Sequence, residues 1–385
     1  MVRFVHTADW QLGMTRHFLD DGAQERFAQA RFDAVVRIGE IAAAEGAELV
    51  VVGGDVFESN HVDRRTLSRA LEALARIPVP VFLLPGNHDP LDAASVFRTA
   101  AFLDRKPANV HVLEGTSPVE LRPGVEIVGA PWRTKRPGED LVARALDRLG
   151  PAPAGTVRIL VGHGAVDALS PDRDAATNIS LDAVRAAIAD GRVHYVALGD
   201  RHSLSILGDD RRVAYAGAPE ATAFDEERPG HVLVVDAEPG RVETAEVPVG
   251  RWRFVRIETE FLGDADLDAL ERELDAIDAK ENVVVRLALV GTLTLAQHAR
   301  LERTLEHAGH LLAAVTVSPD RSDLRVRPDD SDFADLDLAG FARTALARLR
   351  SEAAGGGARA EEARDALALL VRLARPAERP NGGGA

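Results

Sequence analysis

Val81-Phe82-Leu83-Leu84-Pro85-Gly86-Asn87-His88-Asp89 is the stretch on which the fold turns. Four apolar residues of strand type run into a turn that carries an amide, an imidazole and a carboxylate. Asn and His together in one turn have few structural reasons to occur, so the turn reads as a place where side chains are presented. Working outward, four other β-type runs end in the same manner. Arg3-Phe4-Val5-His6 leads to Asp9-Trp10-Gln11, and Leu49-Val50-Val51-Val52 leads to Gly53-Gly54-Asp55. The run Val157–Val161 leads to Gly162-His163-Gly164, and Val193–Leu198 leads to Gly199-Asp200-Arg201-His202. Each motif alone is weak, because a Gly-Asp pair after a strand is common and a lone His is more often packed than liganding. The set of five in this order is the informative observation.

Between these runs lie helical patterns. Phe27, Ala34, Val35, Ile38, Ile41 and Ala42 recur near helical period over 25–45, and Leu67, Leu71, Leu74 and Ile77 share a face over about 63–76, with Asp63 as the expected cap. Strand, helix, strand repeated in this way predicts an α/β layered domain with helices over a largely buried sheet. Ligands in such sheets gather at the carboxyl ends of strands. All five ends are therefore expected at one edge of one sheet. Oxygen donors mixed with imidazoles, without sulfur, suit hard to borderline divalent ions such as manganese or magnesium. The glycines Gly54, Gly86, Gly162 and Gly199 are expected to let the backbone turn sharply beside a crowded site.

The order Asp9-x-Gln11, Gly54-Asp55, Gly86-Asn87-His88-Asp89, Gly162-His163, Gly199-Asp200-x-His202 resembles the calcineurin-like metallophosphoesterase superfamily. His6-Thr7-Ala8-Asp9-Trp10, Gly54-Asp55-Val56-Phe57 and Tyr215-Ala216-Gly217-Ala218-Pro219-Glu220 resemble strings of its SbcD-type DNA-repair exonuclease branch. The resemblance implies a layered phosphoesterase sandwich with a small α/β cap domain and C-terminal helices. It also implies two divalent ions, Mn²⁺ first, with Mg²⁺ or Fe²⁺ as alternatives. One would be held by Asp9, Gln11, Asp55 and His202, the other by Asp55, Asn87, His163 and Asp200. His88 would protonate the leaving oxygen, with Asp89 orienting its ring. Position 11 is usually His in this family and position 200 usually the first His of a Gly-His-x-His string. Gln11 should loosen the first site and Asp200 should favour a harder ion at the second. Glu58 stands where some relatives have His.

The expected domains are 1–249 for the phosphoesterase, 250–328 for a βαβαββ cap, and 329–385 for helical segments around Gly355-Gly356-Gly357 with a disordered tail. In the resembling nucleases the cap grips DNA and the C-terminal helices bind an SbcC-type SMC-like ATPase, and the enzyme is a homodimer. The alternative for the helices is packing on their own cap. Arg133, Lys135 and Arg136, beside Trp132, form a basic cluster suited to substrate phosphates, with Arg98, Arg105, Lys106 and Arg201 nearby in sequence. Only three of the 46 basic residues are lysine, so arginine is generic here and the cluster is as readily a solvated face.

Composition narrows this further. A formal charge of −15, split as −10 over residues 1–250 and −5 over 251–385, excludes coating of DNA by charge alone. The absence of cysteine excludes disulfides, thiolate metal sites and a cysteine nucleophile. No signal peptide or apolar run of bilayer length is evident, and a cytoplasmic protein without membrane contact is expected. The readings are a metal-dependent DNA nuclease with an ATPase partner, a stand-alone phosphoesterase on nucleotides or phosphoproteins, and a catalytically impaired interaction subunit.

Overall fold

The structure is a computed structural model describing residues 1–326, 340–355 and 357–374. The acidic stretch after Pro328 lies outside the described residues, as does the tail Arg379–Ala385 for which disorder is expected. The chain forms two compact units, Met1–Phe254 and Val255–Ala385.

The first unit holds two six-stranded sheets. One orders β12 (Arg241–Pro248), β11 (His231–Glu238), β1 (Val2–Thr7), β2 (Leu49–Val52), β3 (Val81–Leu83) and β4 (Val110–Val112). The other orders β5 (Val119–Arg122), β6 (Val125–Gly129), β7 (Val157–His163), β8 (Tyr195–Gly199), β10 (Val213–Tyr215) and β9 (Ser205–Leu207). Strand periodicity assigns each apolar run to two layers. In β2, Leu49 and Val51 point between the sheets, where they join Phe4, Phe82, Ile127, Ile159, Val161 and Tyr195. Val50 and Val52 point outward onto α1 (Asp21–Ala44) and α2 (Arg64–Leu74), against Phe32, Val35, Ile38, Leu67 and Leu71. The second sheet does the same with Leu160, Val196 and Leu198, which meet Leu141, Val142 and Val184 of α4 (Leu141–Leu146) and α5 (Leu181–Ala189). The result is helix, sheet, sheet, helix. Asp20 and Asp63 cap α1 and α2, accepting from Ala23 N and Thr66 N at 2.7 Å each. A four-residue helix, α3 (Ala100–Leu103), precedes β4.

The sequence expectation of one sheet is corrected by this architecture. β1, β2 and β3 belong to the first sheet, and β7 and β8 to the second. The crossover from β4 to β5 moves the chain between layers, and strands of both sheets have the same doubly buried apolar pattern, so nothing in their residues distinguishes them. His6 ties the layers together. Its ring nitrogens lie 3.0 Å from the Tyr195 hydroxyl and 3.2 Å from the Leu198 carbonyl. Burial pushes this histidine down to about 3, which keeps it a neutral bridge.

The second unit is built as β13 (Arg253–Phe261), α6 (Asp264–Asp275), β14 (Val283–Leu293), α7 (Leu295–Leu311), β15 (Ala314–Val317) and β16 (Asp323–Val326). The long β14 pairs in parallel with β15 through Val284–Leu287 and with β16 through Val290–Leu293. The sequence pattern extends α6 to 279, but the helix stops at Asp275. Lys280 Nζ takes the carbonyls of Asp275 and Ile277, and Ala279 is left-handed. Thr294 starts α7 with a reciprocal Thr–Gln297 capping box. Two further helices, α8 (Phe341–Ala353) and α9 (Ala358–Ala374), pair with one another. Leu367 of α9 packs on Leu295, with Leu346, Leu349 and Val326 around them. Part of this hairpin is therefore engaged within its own unit. No helix among the described residues is long and apolar enough to cross a membrane.

Candidate metal centre

The five strand ends converge across the two sheets of the first unit. Register places His163 of β7 beside Gly199 of β8, while Asp9 and Gln11 follow β1 next to Asp55 after β2. Backbone bonds lock the loops, with Asp9 N donating to Gly54 O at 3.0 Å and Gln11 N to Asp55 O at 2.9 Å. Asp200 N reaches across to the Asp9 carboxylate at 3.0 and 3.2 Å. Donor atoms of Asp9, Asp55 and His163 all lie within 4.8 Å of one another, and the three residues are buried.

His163 shows the character of the site most directly. Its Nδ1 donates to the Gly53 carbonyl at 2.8 Å, which leaves Nε2 as the inward nitrogen. That nitrogen faces Asn87 Oδ1 at 2.8 Å, Asp55 Oδ1 at 3.5 Å and Asp200 Oδ1 at 3.6 Å. A neutral ring would direct a lone pair at three acceptor oxygens. Only a cation reconciles them, either a metal ion or a proton. Burial opposes protonation, yet Asp55, Asp200 and Asp9 outweigh it and hold His163 well above its ordinary range. Burial likewise pushes Asp9 up to about 6, against the pull of His202 and His163. For Asp55 burial raises and His163 lowers, and the net is below the usual carboxylate range. One imidazole nitrogen and several oxygens on an anionic cluster fit a divalent ion of manganese or magnesium type.

His202 is held from behind. Its Nδ1 lies 2.7 Å from Thr222 Oγ1 and 2.9 Å from Glu226 Oε1, while Glu226 Oε2 accepts from Thr222 N at 2.8 Å. Its Nε2 faces Gln11 Nε2 at 3.3 Å. Thr222 and Glu226 are functional neighbours that the sequence reading missed, since they sit in an irregular loop far along the chain. The only signal was their proximity to the Tyr215–Glu220 string. Tyr215 of that string accepts from Val166 N at 2.9 Å and donates to Gly164 O at 2.8 Å, fixing the loop after His163.

His88 stands at the rim with 38% of its side chain exposed. Its Nδ1 donates to Glu58 O at 2.9 Å, and its Nε2 lies 3.9 Å from Asp55 Oδ2. The expectation that Asp89 orients this ring is not what the structure shows. Asp89 accepts from Gly86 N at 2.8 Å and Phe57 N at 2.9 Å, so both its oxygens brace the turn. Burial, and then the Asp55 charge, push it up to about 7. The carbonyl of Glu58 orients His88 instead.

The glycines also act differently from expectation. Of the four, only Gly54 has a left-handed backbone, at φ +103°. The left-handed conformations belong to Asp9, Gln11, Asp55 and Asp200, with φ of 52°, 44°, 51° and 94°. Gly86 serves close approach, since a Cβ there would fall 2.2 Å from Asp55 Oδ1.

Among the basic candidates, Trp132 fixes its loop against the centre by donating Nε1 to His163 O at 2.8 Å. Arg133, Lys135 and Arg136 follow it in exposed positions, with Arg133 donating to Glu114 O. Arg105 donates to Ser68 Oγ and Lys106 to Val110 O, so these two support the fold. Arg201 donates to Ser205 Oγ at 3.1 Å.

Comparison with known proteins gives the geometry a context. Over 303 residues the chain is 26% identical to the DNA double-strand break repair protein Mre11 of Archaeoglobus fulgidus, covering 69% of this chain and 62% of that one. Over 258 residues it is 27% identical to the SbcD component of the nuclease SbcCD of Rhodobacter capsulatus, covering 57% and 62% respectively. The chain thus spans less than two thirds of the length of either relative. A solved structure, TT1561 of Thermus thermophilus, is 11% identical, with a TM-score of 0.40 over 63% of this chain and 98% of that one. Residues 2–204 match the calcineurin-like phosphoesterase family. That span is more than half of the 385 residues and contains every donor from Asp9 to His202, which makes the chain a member of the calcineurin-like phosphoesterase family.

Proposed function

We propose that the chain is a metal-dependent phosphodiesterase that cleaves DNA in repair, with two divalent ions, manganese first. The observation that carries this reading is the inward face of His163, where one imidazole nitrogen meets Asn87, Asp55 and Asp200 oxygens within 3.6 Å. Asp9, Gln11, Asp55 and His202 would hold one ion, and Asp55, Asn87, His163 and Asp200 the other. When bound, such a pair neutralises charge developing on the phosphate oxygens. The chain's own residues do the rest. His88 Nε2, with Nδ1 committed to the Glu58 carbonyl, protonates the departing oxygen. Asp89 keeps the turn that carries His88 closed against Gly86 and Phe57. Arg133, Lys135 and Arg136 hold the flanking phosphate backbone from the loop that Trp132 pins.

DNA as substrate and an SbcC-type SMC-like ATPase as partner are supported by the likeness to the SbcD component, whose full name places it in a complex. Phe341 at the start of α8 and Leu369 on α9 are exposed apolar residues suited to such a partner. A homodimer and a cytoplasmic setting belong to the same reading. The commitment of Arg105 and Lys106 to the fold favours a second reading, a phosphoesterase of smaller substrates. Manganese assays on labelled duplex DNA and on p-nitrophenyl phosphate, beside an Asp55→Asn control, separate the two. Cleavage of DNA that vanishes with Asp55→Asn is the expected result, and cleavage of neither substrate would sink both readings.

Metal should also stabilise the chain, because it relieves the mutual repulsion of Asp9, Asp55 and Asp200. Manganese at a hundred times its dissociation constant contributes about 2.7 kcal/mol. At about 2–4 °C per kcal/mol for a unit of this size, chelator-stripped protein should melt roughly 5–10 °C lower than loaded protein in differential scanning fluorimetry.

A further inference from the structure

The two halves of the centre are not equally ready for an ion. At His163 the inward nitrogen is ringed by three oxygens from three different loops, and Nδ1 is already committed to Gly53 O. At His202 the corresponding nitrogen is taken. Gln11 Nε2 sits 3.3 Å from it, and Glu226 and Thr222 fix the ring from the other side so that it cannot swing away. Either orientation of the Gln11 amide covers Nε2, since one end of the amide meets that nitrogen in both. In the orientation shown, Gln11 Oε1 is buried and has no hydrogen-bond partner among the described residues. An unpaired buried acceptor is costly, and it marks a side chain suited to ligation.

We infer that Gln11 is a latch that makes loading sequential: one divalent ion seats at His163, and a second reaches His202 only by displacing the Gln11 amide. The imidazole nitrogen cannot serve a cation and accept from Gln11 together. The incoming ion must break that bond, and in return it gains only a neutral carbonyl oxygen. Asp9 and Asp55 contribute to both halves of the centre, so the difference between the halves comes from Gln11 and His202 on one side and Asn87, His163 and Asp200 on the other. Occupancy of the second position then depends on the ambient ion concentration, and the centre has a singly loaded state over a broad range.

The inference rests on the two-metal reading above, and its test separates the two. The full chain, stripped with chelator, is titrated with manganese chloride by calorimetry, with free Mn²⁺ followed by electron paramagnetic resonance. One tight site and a second weaker by about ten- to a hundred-fold are expected, the range by which ligand-supporting contacts tune metal affinity. Gln11→His should tighten the second site by a similar factor and leave the first unchanged. Gln11→Glu, which keeps the shape of the side chain and adds a charged oxygen, should tighten it as well, and it guards against misfolding of the bulkier variant. Two sites of equal affinity in the unaltered chain, or a second affinity that neither substitution moves, would overturn the latch and leave the two-metal reading intact. Absence of any manganese binding would overturn both.

Discussion

Replacing His88 by alanine is expected to slow manganese-supported cleavage of a DNA phosphodiester by about 10²–10⁴-fold, the usual contribution of a positioned general acid. Manganese affinity should be unchanged, because His88 touches the centre only through its backbone amide on Asp55 Oδ1, at 2.9 Å, and its ring stands 3.9 Å from that carboxylate. The backbone bond survives truncation of the side chain. The nature of the leaving group gives a sharper readout than the rate alone. A sugar alkoxide departs poorly without a proton, whereas a p-nitrophenolate is stable as an anion. The variant should therefore lose far more on DNA than on bis(p-nitrophenyl) phosphate. Equal losses on both would mean the turn had collapsed, and an undiminished rate on DNA would remove His88 from the mechanism.

Gly199→Ala should be among the most damaging single methyl groups that can be added to the first unit. A Cβ at this position would lie 2.2 Å from Gly53 O and 2.8 Å from the Ala8 Cβ. Both obstacles belong to the other sheet, and one of them is backbone, so no side chain can rotate to make room. Overpacking of this kind costs about 1–3 kcal/mol, occasionally more. The strand end also carries Asp200 and His202, so the displacement reaches the donors. A melting midpoint lower by several degrees together with weakened manganese binding is expected. Gly150→Ala is the matched control, since nothing lies within 4 Å of its added methyl and its backbone is not left-handed. If both variants melt with the unaltered chain, the close approach of Gly53 and Gly199 is not a structural constraint.

Much of this was readable in the residues, for a physical reason. A buried strand must be apolar along its length, so polar side chains placed just past its end stand out, and all the candidate donors were found in that way. Asp63 was legible as a cap because a capping aspartate precedes a periodic apolar face. The division of strands between two sheets was not legible, because β2 and β7 are buried on both faces and neither alternates. The role of Asp89 was misread because adjacency to His88 in sequence suggested adjacency of their side chains. In a tight turn neighbouring side chains diverge, and the carboxylate folded back onto its own backbone. Thr222 and Glu226 were invisible because their loop has neither period nor strand to announce it.

The left-handed backbone at Asp9, Gln11, Asp55 and Asp200 has a consequence for how this chain can change over time. Non-glycine residues in that region cost of order 1–3 kcal/mol each, and the folded state holds that burden whether or not an ion is present. Glycine at any of these positions would relieve strain while deleting a donor. Drift toward a sturdier protein and drift toward an inert one thus run along the same substitutions. A lineage selected only for persistence would shed its donors first, and a donor standing at all four strained positions marks selection for chemistry over durability.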